Sequence, residues 1–343
     1  MDTTIQQVAI AAGVSRSTAN MILSGHDQNY AAKTKVKVMD AAKRLNYRPN
    51  ISAQSLRNRR SYLIGAVYNN LNTDYLGDFT TGFQKAVTRQ GCAPIVLMVD
   101  DIESELQALQ TLSDRRVDGI LVNPLPSPDD DRGLDRIRKM HAAKIPILEI
   151  FGRSLSPDIH SVNTDAYRAG FDVTKTMIEQ GCKQPMLFDP EQFSPDNPRT
   201  IWNWFGWDYG RGYQDAMNES GLEANAIYYD FQQMTADPAR TAVDLFKTHR
   251  PDGLTALAPA VLRETMFAIN QKPDLVPEHF TIGGYADFMH SQPFCRTKIA
   301  VNLAIRESAE QAADQLFNLI DGREAQDLLL GPKLEVISPA KTP

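Results

Sequence analysis

The chain has 343 residues, 42% of them hydrophobic and 23% charged, which points to a soluble protein of two or three units rather than one small domain. No run of about 18 apolar residues occurs, so no membrane-spanning helix is expected, and the start MDTTIQQVAIAAGVS lacks the basic and apolar blocks of a secretory signal. The formal charge of −6 hides a split: residues 1–60 carry ten Lys/Arg and three Asp/Glu (+7), and the remainder carries 26 and 39 (−13). A cationic head on an anionic body suits docking on phosphate while the body stays clear of it. Cys92, Cys182 and Cys295 are far apart and odd in number, without CxxC or Cys/His spacing. Reduced thiols, a cytoplasmic location, and no metal or cofactor are expected.

Thr4-Ile5-Gln6-Gln7 has the form of a capping box that opens a helix, with Ile5, Val8, Ala9 and Ala12 on one face. Gly13 follows, where a chain leaving a helix often needs positive φ, and Ser15 is placed to cap a second helix over Arg16–Leu23. Two short helices meeting through Ala12-Gly13-Val14-Ser15 form a helix-turn-helix. A third helix, Ala32–Leu45, is expected to put Val36, Met39, Ala42 and Leu45 toward the core, with Lys33, Lys35, Lys37, Lys43 and Arg44 on its other face. After Pro49, residues 50–57 read as a short helix and Asn58-Arg59-Arg60 as a basic linker.

From Ser61 the pattern alternates strand and helix: Leu63–Val67, Asp78–Gln90, Pro94–Met98, Glu103–Ser113, Gly119–Val122, Leu134–Ala143 and Ile147–Ile150. It restarts with Ser161–Val162, Ala166–Gln180, Met186–Phe188, Gly210–Glu219, Ile227–Tyr229, Pro238–Lys247, Gly253–Leu257, Val261–Asn270 and Thr281–Gly284, and a final helix ends near Gly322. This rhythm predicts two doubly wound parallel sheets, with ligands received outside the carboxyl ends of the strands. Asn72, Tyr75, Asn123 and Phe151 follow first-lobe strand ends and are candidates for the lining of a cleft. Trp202, Trp204, Phe205, Trp207 and Tyr209 crowd together, open to three readings: ligand pocket, core packing or interface.

The stretches TTIQQVAIAAGVSRSTANMILSG and AAKTKVKVMDAAKRLNYRPNISAQSLR resemble the head of the lactose/galactose-repressor (LacI/GalR) family. The family's spacing is matched at Val8, Ala9, Ala12–Ser15, Thr34, Val38, Ala41, Leu45, Asn46, Tyr47, Pro49, Asn50, Ala53 and Leu56. Weaker anchors are Asp118-Gly119-Ile120, Asn163-Thr164-Asp165 and Gly284-Tyr285. The resemblance implies an all-α helix-turn-helix head plus an α/β core of two periplasmic-binding-protein-type subdomains. The expected boundaries are a DNA-binding domain at 1–48, a hinge helix and linker at 49–60, and an effector-binding and dimerisation core at 61–343. Within the core, the N-subdomain would span about 61–162 plus 292–322, and the C-subdomain about 163–291 plus 323–343.

By the same resemblance Arg16, Ser17 and Asn20 read base edges or groove phosphates, while Ser15, Thr18 and Asn50 set register on the backbone. Leu56 would wedge into the minor groove. Thr4, Met21, Lys33, Ala53 and Arg57 complete the expected DNA-facing set. Where the family commonly has Val-Ser-Arg, this chain has Ala19-Asn20-Met21, losing a guanine reader and gaining an Asn suited to adenine.

The implied function is that of a homodimeric repressor of carbohydrate-related genes on a pseudo-palindromic double-stranded DNA operator, set by a small-molecule effector such as a sugar or sugar derivative, and not an enzyme. Trp207, Tyr209, Tyr285 and Asp287 would join the first-lobe residues around that effector. Yet the family's sugar-holding groups are largely replaced. Trp207-Asp208-Tyr209-Gly210-Arg211 stands where an Arg commonly opens the helix, Pro259-Ala260 replaces Asn-Asp, and Ala286 replaces Asp. Buried hydroxyls without partners cost about 1–3 kcal/mol each, which disfavours an ordinary hexose. A regulator with a sealed cleft, controlled by concentration or a protein partner, is therefore the alternative. A transport solute-binding protein would need an export signal and no DNA-reading head, and an enzyme would need motifs such as GxSxG or HExxH that are missing here.

Overall fold

The head is built from local signals that the backbone obeys. Thr4 caps α1 (Ile5–Ala12): its N–H donates to Gln7 Oε1 at 2.8 Å, and Gln7 N–H donates to Thr4 Oγ1 at 3.4 Å. Gly13 ends the helix at φ 67°, a left-handed conformation that costs glycine little. Ser15 Oγ accepts from Thr18 N–H at 3.0 Å and caps α2 (Arg16–Leu23). With α3 (Ala32–Arg44), these helices bury Val8, Ala9, Ala12, Ala19, Ile22, Val38, Ala41 and Ala42. The expected stripe on α3 needs correction. Val36 and Met39 are 58% and 56% exposed, and the inward face is Val38, Ala41 and Ala42 with Leu45 packed beside them. A small core of alanines lets the helices approach closely, which turns the bulkier pair outward.

The computed structural model describes residues 3–24, 27–47, 55, 58, 60–69, 73–125, 131–151, 158–194, 204–229, 238–285 and 293–338. The chain divides into two units, Met1–Ser61 and Tyr62–Pro343. The second unit holds two six-stranded sheets. The first sheet contains β1 (Leu63–Asn69), β2 (Ala93–Val99), β3 (Gly119–Val122), β4 (Ile147–Ile150), β5 (Ser161–Thr164) and β11 (Leu328–Leu330), in the order β11-β5-β4-β3-β1-β2. The second contains β6 (Pro185–Pro190), β7 (Asn225–Tyr229), β8 (Gly253–Ala256), β9 (Thr281–Tyr285), β10 (Thr297–Asn302) and β12 (Lys333–Ile337), in the order β12-β10-β9-β8-β6-β7. All pairings are parallel except β10 with β12.

The helices of the first lobe are α4 (Thr73–Arg89), α5 (Ile102–Asp114) and α6 (Arg132–Ala142). Those of the second are α7 (Ala166–Glu179), α8 (Trp204–Glu219), α9 (Pro238–His249) and α10 (Pro259–Gln271). The last helix, α11 (Ile305–Ile320), returns to pack on α4 and the first sheet.

The subdomain boundaries differ from those expected by strand pairing. β5 bonds to β4, so the first crossing falls after Thr164. β10 bonds to β9, so residues 297–302 belong to the C-lobe, whereas β11 bonds to β5 in the N-lobe. The three last strands lack a sequence signal of their own because they follow no regular helix–strand alternation. The central strands β3, β4, β8 and β9 are buried along their whole length, as expected of parallel strands covered on both faces.

Candidate DNA interface and effector site

On α2, Arg16, Ser17, Asn20 and Met21 fall within one arc of the helix, opposite buried Ala19 and Ile22. Arg16, Ser17 and Met21 are exposed, and Asn20 is half-buried. The resulting face offers a guanidinium, a hydroxyl, an amide and a thioether, a set able to meet base edges and a thymine methyl. Ser15 Oγ and Thr18 Oγ1 lie 2.9 Å apart, so the two hydroxyls orient one another at the start of the helix. Thr4 is exposed but tied into its capping box. Lys33, Lys37, Lys43 and Arg44 are exposed along α3, while Lys35 is paired with Asp27 at 3.0 Å. Asn50, Ala53, Leu56 and Arg57 lie outside the described residues.

In the core, the sequence-predicted effector residues go to different places. Asn72 and Asp287 lie outside the described residues, as do Trp202 and the side chains of Trp204 and Phe205. Asn123 is buried at the end of β3, its N–H donating to Val67 O at 2.9 Å. Phe151, half-buried at φ 53°, meets Tyr68 and Phe79 edge-on at 6.2 and 6.0 Å. Trp207 is half-buried with the Arg211 guanidinium 4.6 Å from its ring, and Arg211 also covers Tyr167 at 5.3 Å. Tyr209 is fully buried and shares a 2.6 Å hydrogen bond with Thr255. Of the three readings of the aromatic run, core packing therefore describes Tyr209.

Tyr75 and Tyr285 come from different lobes and meet. Their ring centroids are 4.5 Å apart at 65°, and both side chains are buried. Tyr75 Oη donates to Leu257 O at 3.0 Å, and Tyr285 Oη donates to Asp78 Oδ2 at 3.1 Å. Asp78 in turn receives Arg306 Nε at 3.1 Å.

Sequence reasoning missed Asp78, Asp189, Thr255 and Arg306. Asp189 is the last residue but one of β6, with its carboxylate out of water, and accepts from Leu257 and Ala258 N–H at 3.0 Å. Burial pushes its pKa up to about 7 against the pull of those two N–H groups. An acid closing the apolar run Met186-Leu187-Phe188 was the available signal, since a carboxylate there must find donors. Burial also drives the Tyr209 and Tyr229 hydroxyls well above the usual phenol value, with Asp189 adding to both shifts. Among the described residues, no group of three or more His, Cys, Asp or Glu is placed to hold a metal, and no helix is long and apolar enough to cross a membrane.

Residues 61–259, more than half of the chain, match the family described as periplasmic binding proteins and sugar binding domain of the LacI family. Residues 4–50 match the bacterial regulatory proteins of the lacI family. The chain belongs to the LacI family. This LacI-family chain is 26% identical over 330 residues to the HTH-type transcriptional regulator RegA of Clostridium saccharobutylicum, covering 95% of each chain. It is 25% identical to the sucrose operon repressor of Pediococcus pentosaceus, covering 82% of this chain and 81% of the relative. Its fold is shared with a lac repressor dimer bound to operator and an anti-inducer, at TM-score 0.70 and 21% identity, covering 97% of this chain and 98% of that one. It is likewise shared with a CelR–cellobiose complex, at TM-score 0.64 and 21% identity, covering 98% of this chain and all of that one. As a LacI-family member it is a DNA-binding transcription regulator and not an enzyme.

Proposed function

We propose that this regulator is a cytoplasmic, homodimeric repressor of carbohydrate-related genes that binds an inverted-repeat operator and answers to a small molecule held between its two lobes. The observation that carries the DNA half of this reading is the α2 face of Arg16, Ser17, Asn20 and Met21, fixed by the Ser15 cap and backed by exposed cations on α3. Two such heads, related by a two-fold axis, read two half-sites. A dimer is supported by β2, an edge strand whose outer residues include Met98 at 44% exposed with Val96 half-buried beside it. An unpaired apolar edge is a liability that a second copy removes. Relatives named for sucrose control and for a cellobiose complex support a carbohydrate link.

The chemistry of the interlobe wall supports an effector poorer in hydroxyls than a simple hexose. Leu257 and Tyr285 meet Tyr75 and Asp78 there, and their described polar atoms are engaged within the protein. The same pairing favours the second reading, a cleft that the protein seals for itself. If an effector alters operator affinity by some factor, the operator alters effector affinity by the same factor.

Site selection from random duplexes with purified full-length protein, repeated over a salt series, tests the proposal. An inverted repeat should emerge, and its affinity should fall by a large power of salt concentration. Enrichment of no symmetric duplex would remove the operator reading. A thermal-shift screen of sugars and sugar derivatives then divides the two accounts of the cleft, since a compound that both raises the melting point and alters operator affinity excludes a sealed one.

A further inference from the structure

We propose that Tyr75 and Tyr285 form a latch that joins the two lobes through groups of the protein alone. Four features converge on it. Tyr75 and Asp78 stand at i and i+3 on α4, hence on one face of the N-lobe helix. Each makes a hydrogen bond to the C-lobe, Tyr75 Oη to Leu257 O at 3.0 Å and Asp78 Oδ2 to the Tyr285 hydroxyl at 3.1 Å. The two tyrosine rings pack edge to face between these bonds, at 4.5 Å. Both ends of the contact are also anchored within their own lobe.

On the C-lobe side, the carbonyl that accepts from Tyr75 lies between two N–H groups held by Asp189: Leu257 N–H and Ala258 N–H each donate to that carboxylate at 3.0 Å. On the N-lobe side, Asp78 is held by Arg306 at the start of α11. Four residues along α4 from Asp78, a Cβ on Gly82 would lie 2.2 Å from Arg306 O, so the two helices touch backbone to backbone and α4 cannot drift. A continuous path thus runs from Asp189 through Leu257, Tyr75, Tyr285 and Asp78 to Arg306.

Opening the lobes would wet two buried rings and exchange two protein hydrogen bonds for water. Each hydrogen bond is worth little net of water, so losing one shifts the balance between closed and open lobes while the ring contact remains. A ligand that enters between the lobes would therefore act by changing this latch. The inference concerns the core alone; only its consequence for DNA rests on the regulator reading.

The test uses full-length protein carrying Cys295→Ser, with spin labels at the exposed positions Gln107→Cys in the N-lobe and Lys272→Cys in the C-lobe. Pulsed electron resonance then reads the interlobe distance without ligand. With doubly labelled protein diluted into an excess of unlabelled protein, so that each dimer carries one labelled protomer, the otherwise unaltered protein should give one narrow distance. Tyr75→Phe and Tyr285→Phe keep the rings and remove one hydroxyl each, and each should raise the population at longer distance by about fivefold. The double variant should broaden the distribution further, and hydrogen exchange over residues 253–262 should rise with it. Asp78→Asn provides a second route to the same loss should a tyrosine variant melt early by circular dichroism. An unchanged narrow distance in the folded double variant and in Asp78→Asn would overturn the latch, as would an already broad distribution in the parent. Failure of the parent to bind a symmetric duplex would instead strike the regulator reading and leave the distance result standing.

Discussion

The two lobes are wound alike and fastened differently. Setting aside β11 and β12, each sheet runs second-first-third-fourth-fifth strand from its outer edge, and the helix after each first strand carries a glycine–aromatic pair, Gly82-Phe83 on α4 and Gly212-Tyr213 on α8. In both lobes the aromatic is fully buried and the glycine sits where a second helix crosses, α11 over α4 and α7 over α8. Each lobe also buries one carboxyl that accepts from backbone just after its third strand. In the N-lobe this is Glu105 of α5, accepting from Leu125 N–H at 3.3 Å. In the C-lobe it is Asp189 of β6, accepting from Leu257 and Ala258. Buried backbone that has left its sheet ladder still needs acceptors for its N–H groups. The fold sets the requirement, and each lobe meets it from a different seat.

The largest test of that equivalence is pH. Burial lifts Glu105 from 4.5 to about 7 and Asp189 from 3.8 to about 7. The folded values lie above the unfolded ones, so between about pH 4 and 7 the folded chain holds more protons. The contribution of these two groups to stability is greatest at the acid end of that window, falls as pH rises through it, and levels off above pH 7. A shift of this size at Asp189 corresponds to something on the order of 4 kcal/mol. Asp189→Asn should flatten much of the decline, because Oδ1 alone already accepts from both N–H groups. Glu105→Gln should flatten a smaller share, and the two effects should add. Calorimetric melting at pH 5, 6, 7 and 8 measures this; a double variant that kept the full slope would break the parallel between the two carboxyls.

The glycine crossings come next. A Cβ on Gly212 would lie 2.0 Å from Tyr167 O, and one on Gly82 would lie 2.2 Å from Arg306 O. Backbone carbonyls cannot swing aside as a side chain would, so the helices must separate. Gly170 makes the α7–α8 crossing reciprocal, with its own Cβ position 2.1 Å from Tyr209 O. Gly212→Ala should therefore cost about 3 kcal/mol and Gly82→Ala about 2 kcal/mol. Urea unfolding of the core, followed by far-ultraviolet circular dichroism, gives both. Equal and negligible losses would show that the crossings yield more readily than their distances indicate.

How much of this could be read beforehand depended on whether the signal was local. The capping box, the Gly13 turn and the Ser15 cap each lie within four residues of the helix they control, and the head followed them. Helix–strand alternation likewise placed most core elements within a few residues, because strands buried on both faces are nearly pure apolar runs. The face of α3 was misjudged because Val36 and Met39 look like core residues, and only packing against small alanines turns them out. Membership of β10, β11 and β12 depended on which distant strand they bond, a fact no single segment carries. The site suffered most. Strand-end position points to Tyr75 and the family resemblance to Tyr285, but that their partners are Leu257 O and Asp78 rests on contacts across 182 and 207 residues.

The smallest expected effect separates the lobes at one atom. Phe83 and Tyr213 occupy matching places, yet only Tyr213 carries a hydroxyl. That hydroxyl accepts from Asn225 N–H at 2.8 Å and lies within donating distance of Asn225 O at 3.0 Å and Pro185 O at 3.1 Å. It therefore pins the start of β7, an edge strand, to the start of β6, whereas the matching strands β1 and β2 pair over seven residues without such help. Tyr213→Phe makes the C-lobe residue identical to its N-lobe counterpart and should cost about 1 kcal/mol. The loss should be confined to one place: amide exchange at Asn225 and Ala226 should quicken about fivefold while β1 and β2 stay unchanged. Exchange that rose equally in both sheets would mean the hydroxyl supports the core as a whole, and the difference between the lobes would then lie elsewhere than in this edge.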